Sequence, residues 1–211
     1  MTINKNNWFD AQCRACPRLA TFLDEVKSQY PHYHARPVPP FGDDDIKLLI
    51  VGLAPGMHGA NATGRPFTGD YAGILLYEAL YEFGFSNQAL AESIDDGLTL
   101  KNCRITNAVK CLPPENKPTG AEIKQCNFFL AAELASLKQG AVILALGTIA
   151  HQAVLKALNL KNLPFAHNTT HHLPNGLILI DSYHTSRYNV QTKRLTKTDF
   201  NAVFENIMTV L

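Results

Sequence analysis

Four short apolar runs limit what this chain can fold into: Leu48-Leu49-Ile50-Val51, Cys103 to Val109, Ala141 to Leu146, and Leu177 to Asp181. Each has strand length and is bounded by Gly, Pro, Asn or charged residues. Ala141 to Leu146 is continuous enough to be covered on both faces, as in a parallel sheet. Helical periodicity separates the runs. Leu19, Phe22, Leu23 and Val26 share a face of a helix predicted over 17–30. Ile74, Leu75, Ala79, Leu80 and Phe83 face inward from one over 71–83, with Gly84 as its stop. Ile123, Cys126, Leu130, Leu134 and Leu137 do so over 120–137, and further helices are predicted over 148–158 and 197–208. The alternation gives an α/β fold: a four-stranded parallel sheet flanked by helices on both faces.

Such a sheet binds ligands at its carboxyl edge. The strand ends predicted there are Gly52, Asn107, Gly147 and His184. The longest loop at that edge runs from Gly52 to Asp70. It is rich in Gly and Pro, and a loop of this length inside a compact domain is usually functional. His58, Asn61, Arg65, Phe67 and Asp70 stand among its glycines, with Asp70 where a helix N-cap belongs. Residues 31–46, 85–101 and 159–176 read as connections. Their His32 and His34 are expected in solvent, and His167, His171 and His172 read as loop polar residues.

At 211 residues the chain is expected to form a single domain, 1–211. No run of about 18 apolar residues is present, so no membrane span is expected. The start, MTINKNNWFDAQ, has no apolar core, so no leader is expected and a cytoplasmic location follows. A net charge of +1 announces no nucleic-acid partner, so that argument rests on local patches. One patch is Ser182 to Thr198, which carries Arg187, Lys193, Arg194 and Lys197 without an acid and suits phosphate contacts.

The five cysteines argue against a disulfide framework. Cys103 opens a strand and reads as a small core residue. Cys13 and Cys16 form a C-x-x-C pair, and Cys111 and Cys126 lie fifteen apart, Cys126 facing inward. Four thiolates from two segments can ligate zinc or a [4Fe–4S] cluster, and spacing does not separate the two.

With these loops assembled, the chain resembles the family-5 uracil-DNA glycosylases, the iron–sulfur type. The matching residues are Gly52-Leu-Ala-Pro-Gly56, Gly64-Arg-Pro-Phe-Thr-Gly-Asp70, Ile105-Thr-Asn-Ala-Val-Lys-Cys111, Pro113-Pro114, Asn116-Lys-Pro-Thr119, Tyr183-His-Thr-Ser-Arg187, Asn189 and Arg194-Leu-Thr196. Each is modest alone; in order they are specific, and with the cysteines they span 13–196. Family-4 enzymes carry an acid where this chain has Leu53. Thr185 stands where Pro is usual, and Gly120 where Pro is common.

The resemblance implies a three-layer sandwich with an N-terminal segment holding a structural [4Fe–4S] cluster on Cys13, Cys16, Cys111 and Cys126. It implies a glycosylase that removes uracil from double-stranded DNA; no matched motif places a Lys as a Schiff-base nucleophile, so a monofunctional reaction is expected, and the protein is expected to be a monomer. Without an acid at Leu53-Ala54, the pocket is expected to accept hypoxanthine, xanthine or ethenocytosine too. A flipped base needs an aromatic face, an amide for its edge, a donor for the leaving anion and a placed water. Phe67 is expected to stack, Asn107 to read the base edge, and His184 to donate as charge builds. Asp70 is assigned water activation or cation stabilisation, and Asn116 water or phosphate positioning. Backbone amides near Gly52, Ala54 and Gly56 are expected to hold base or water. Arg187, Tyr188, Asn189 and Arg194 are assigned to DNA, with Arg187 or Tyr188 as a wedge. Arg65, with His58 and Asn61, is a further DNA candidate. The rival readings are a non-catalytic iron–sulfur module that binds damaged DNA, and a zinc-binding nucleotide-processing α/β enzyme.

Overall fold

The computed structural model describes residues 8–211; the first seven, on which the expectation about a leader partly rests, lie outside them. In chain order the elements are helix α1 (Pro17–Gln29), strands β1 (Phe41–Gly42) and β2 (Leu48–Gly52), helices α2 (Ala60–Thr63) and α3 (Tyr71–Glu82), and strand β3 (Cys103–Asn107). A 3-10 turn (Pro114–Asn116), helix α4 (Gly120–Leu134), strand β4 (Val142–Leu146), helix α5 (Thr148–Ala157), strands β5 (Thr170–His172) and β6 (Ile178–Ser182), and helices α6 (Arg187–Gln191) and α7 (Lys197–Val210) complete it.

The sheet has six strands in the order β1-β3-β2-β4-β6-β5, not the expected four. The four predicted strands form its parallel centre, while β1 and β5 are antiparallel edges. Both edge strands fall in stretches read as loops. At two and three residues they are too short to show a period, and only their neighbours make them strands.

Alternation across the central strands divides the core in two. Leu48, Ile50, Ile105, Leu144 and Ile180 pack with Leu76 and Leu80 of α3 and Phe200 and Phe204 of α7. Leu49, Val51, Ile143, Ala145 and Leu179 pack with Leu130 and Leu134 of α4 and Ala150 and Val154 of α5. All five residues of β2 are buried, and truncating Ile50 to Ala costs about 2–5 kcal/mol.

Two expectations about single residues change. Ile74 is 58% exposed, because Leu75, Leu76, Ala79 and Leu80 take the inner face. Tyr77 is fully buried in its place, with its hydroxyl donating to the Pro66 carbonyl at 2.8 Å. That bond satisfies the one polar atom that would otherwise bar a Tyr from the core. His34 is half-buried, hydrogen-bonded to the Pro37 carbonyl at 3.0 Å, while His32 is exposed as expected.

β2 occupies the middle of the sheet. The chain leaves it for β3 on one side and returns to β4 on the other. The loops after β2, β3 and β6 therefore meet at the carboxyl edge where the sheet changes direction, the place such folds reserve for ligands.

Candidate active site

At that edge lies a cavity of about 540 Å³ lined by Leu53, Ala54, Gly56, Phe67, Asp70, Asn107, Asn116 and His184, with His58, Tyr71 and Arg187 at its rim. The residues assigned by sequence to base binding and catalysis thus line one cavity, except Gly52. Gly52 stands behind it. A methyl there would come within 2.4 Å of Asn107 Oδ1 and 2.7 Å of the Phe67 ring. Its contribution is empty space, which lets ring and amide share a wall.

Phe67 is buried, with φ of 54°, a backbone state rare for a non-glycine residue. Gly73 makes this fit, since any Cβ there would overlap the Phe67 carbonyl oxygen. The Phe67 and His184 rings lie 5.8 Å apart, tilted by 30°. Asn107 ends β3 and is buried, yet its Oδ1 has no hydrogen-bond partner. Buried polar atoms are nearly always paired, so an unpaired one in a pocket wall marks a ligand-facing group.

Asp70 does two jobs. Its Oδ1 accepts from the Gly73 amide at 3.2 Å and caps α3. Its Oδ2 lies toward the glycines of the β2 loop, where a methyl on Gly59 would approach within 2.3 Å. Burial raises the Asp70 pKa against the lowering by backbone amides of Gly73 and Ala72. Burial also pulls the His184 pKa down to about 4, so its imidazole is neutral at neutral pH. Asn116 is exposed at the rim with φ of 57°, next to Glu115 at 55°.

The DNA candidates divide. Arg187 and Tyr188 are exposed at the start of α6, Arg187 over the Tyr71 ring at 5.2 Å. Arg194 is exposed and lies over the Tyr183 ring at 4.5 Å. Arg65, by contrast, is 2% exposed and cannot meet DNA. Its guanidinium grips Asp96 at 2.9 and 2.6 Å and Thr68 Oγ1 at 2.8 Å, and it holds the Asp96 carboxyl well below the usual range. Asn61 is likewise fully buried, whereas His58 is exposed and bonded to the Tyr33 hydroxyl at 2.8 Å. Asn189 spends its amide N–H on the His184 carbonyl at 2.8 Å, so it braces that loop. Lys197 is taken by Glu78 and Glu82 of α3, which shortens the basic strip.

The four cysteines singled out by spacing converge. Cys13, Cys16, Cys111 and Cys126 line one largely apolar cavity of about 100 Å³. Cys126 also accepts from the Lys110 amide at 3.3 Å. Burial pushes the Cys111 thiol up to about 12 and raises those of Cys16 and Cys126, with neighbouring cysteines adding to each shift. Zinc holds thiolates at about 2.3 Å, which sets sulfur separations near about 3.8 Å. Among the described residues, the only trio of metal-ligand atoms within 4.8 Å of one another is His151, His171 and Asp181. The four cysteine thiols round one apolar cavity are a donor set that can hold a [4Fe–4S] cluster.

That histidine trio is better read as a clamp. His151 bonds Asp181 Oδ1 at 2.8 Å through Nδ1 and the Leu163 carbonyl at 2.9 Å through Nε2, while His171 bonds Asp181 Oδ2 at 3.3 Å. Both His151 nitrogens face acceptors, which calls for the protonated ring. His171 is thus a strand residue with a partner, not a loop residue. His167 stacks on Tyr183 at 4.9 Å, and His172 is exposed.

A profile of the Uracil DNA glycosylase superfamily matches residues 39–207. The type-5 uracil-DNA glycosylase of Thermus thermophilus is 45% identical over 195 residues, covering 89% of each chain. That of Pyrobaculum aerophilum is 41% identical over 199 residues, 90% of this chain and 87% of its own. The type-4 enzyme of Archaeoglobus fulgidus is 31% identical over 150 residues, 71% of this chain and 61% of its own. On the match over most of its length and on the identity to these relatives, the chain belongs to the uracil-DNA glycosylase superfamily, among its type-5 members.

Proposed function

We propose that this protein, as one domain, excises uracil from double-stranded DNA by hydrolysing the N-glycosidic bond, leaving an abasic site. The observation that carries the reading is the unpartnered Asn107 amide beside Phe67 and His184 in the edge cavity. A base must leave the stack to be cut. The edge of uracil offers N3–H and O4, which match the oxygen and the NH2 of one amide. Phe67 supplies the face. Neutral His184 donates an N–H to O2 as negative charge builds on the departing base. The C1′–N1 bond breaks and its electron pair leaves with the base. The sugar becomes cationic, and the Asp70 carboxylate stabilises it and aligns a water with Asn116. The water oxygen bonds C1′, and its proton passes to Asp70.

No lysine lines the cavity. The lysine just after β3, Lys110, is buried with Glu133 and Thr106. Both facts support a monofunctional reaction without a Schiff base. Leu53 and Ala54 set no charge against the base, which supports acceptance of hypoxanthine, xanthine and ethenocytosine. Arg187, Tyr188 and Arg194 contact the duplex. A [4Fe–4S] cluster on Cys13, Cys16, Cys111 and Cys126 would serve as a structural cross-link.

The test is base release from duplexes that each carry one lesion, read as alkali-labile sites, with iron and acid-labile sulfide measured on the same sample. Uracil release that Asp70→Ala and His184→Ala abolish supports the reading. Duplex binding without release, or zinc in place of iron, sinks it.

A further inference from the structure

Thr185 follows His184, is fully buried, and had no role assigned from sequence. Its Oγ1 donates to the carbonyl oxygen of Ala72 at 2.8 Å, across 113 positions of sequence. Ala72 is the second residue of α3, the helix that Asp70 caps. The loop carrying the histidine is thereby bonded to the element carrying the carboxylate.

Two other links join this loop to its surroundings. Arg187 lies over Tyr71 at 5.2 Å, and the Asn189 amide holds the His184 carbonyl at 2.8 Å. Both belong to α6, the short helix that presents Arg187 and Tyr188 to solvent. Arg187 must give up Tyr71 to reach a phosphate or the gap behind a flipped base, whereas the Thr185 bond is buried and ends in the first turn of α3. The His184 ring has no hydrogen bond to protein among the described residues, so its aim depends on its main chain.

We propose that Thr185 is a positioning residue for base release: its hydroxyl fixes the His184 main chain to the Asp70-capped helix, so that donor and carboxylate keep their separation while α6 engages DNA. This rests on the function proposed above. A proline at this position would stiffen the loop by its own ring; threonine does so by a bond between two elements.

The experiment compares wild type, Thr185→Val and Thr185→Ser as cluster-loaded proteins in single-turnover uracil release, with duplex affinity, melting temperature and the NMR titration of the His184 ring. Valine keeps the shape and removes the hydroxyl; serine keeps the hydroxyl. The valine variant is expected to lose about tenfold or more in maximal rate, since small misplacements of reacting groups are costly. Its duplex affinity is expected to stay within about twofold, and the serine variant to keep most of the wild-type rate. The His184 titration is expected to move toward the ordinary imidazole value in the valine variant alone, as the ring loosens into water. A valine variant with wild-type rate and titration overturns the proposal, as does one that loses rate, affinity and stability alike. If wild type releases no uracil, the proposed function fails instead, and the His184 titration in the two variants still decides the positioning role.

Discussion

The buried Oδ1 of Asn107 lacks a hydrogen-bond partner, an arrangement that costs about 1–3 kcal/mol. Asn107→Ala is therefore expected to melt at or above the wild-type temperature while uracil release falls by about a hundredfold or more. Calorimetry and single-turnover kinetics on one preparation check both halves; a variant that loses stability and keeps activity refutes the assignment. Gly52→Ala is the opposite case. Its methyl would meet both Asn107 and Phe67, so stability falls by about 1–3 kcal/mol and the rate falls with it. Asp70, as the proposed carboxylate, sets the acid limb of the pH–rate profile. Burial raises its pKa, so the rate is expected to fall with pH at a value above the ordinary carboxylate value of 3.8. Asp70→Asn should remove the limb together with most of the activity.

At the scale of elements, two contacts join pieces that local sequence leaves separate. Glu122 completes the capping box of α4 with Thr119 and pairs with Arg18 of α1 at 2.8 Å. It thus ties the helix after Cys16 to the helix bearing Cys126. With the proposed cluster loaded, Glu122→Ala is expected to lose iron to a chelator faster than wild type, followed by the decay of visible absorption. The second contact is the clamp of His151 on α5 with Asp181 on β6 and His171 on β5. Burial lowers the His151 pKa, but the hydrogen bond and charge of Asp181, with the Leu163 carbonyl, outweigh it and leave it raised above 6.5. A group raised on folding contributes stability that is complete below its unfolded value and lost as pH rises through its folded value. Melting temperature should therefore drop as pH climbs above 6.5, and the drop should flatten in His151→Gln.

At the scale of the whole molecule, the cysteine cavity stands apart from both faces of the sheet. Cys126 and Cys16 pack with Leu19 and Val109 in a separate cluster that meets the sheet cores only through the half-buried Ile123. Stripping iron from the proposed cluster is expected to expose α1 to limited proteolysis first while the far-ultraviolet signal of the sheet persists; global unfolding would contradict this. The central strands, the carboxyl edge and the four cysteines were legible because apolar period and short spacings report local backbone state and burial. So was the gathering of Phe67, Asn107, Asp70 and His184 in one cavity, since they lie at or near strand ends or a helix start. The edge strands β1 and β5 were not, because they exist only through pairing with β3 and β6. Nor was the burial of Arg65, whose partner Asp96 lies 31 positions on in a stretch without pattern. The sequence by itself determined the layers, the edge and the chemical types gathered there. Tertiary structure alone decided which side chains meet: that Gly52 makes room for Asn107 and Phe67, that Arg65 turns inward, and that Thr185 reaches Ala72. Those outcomes depend on distances between loops far apart in the chain, and no local periodicity encodes such distances.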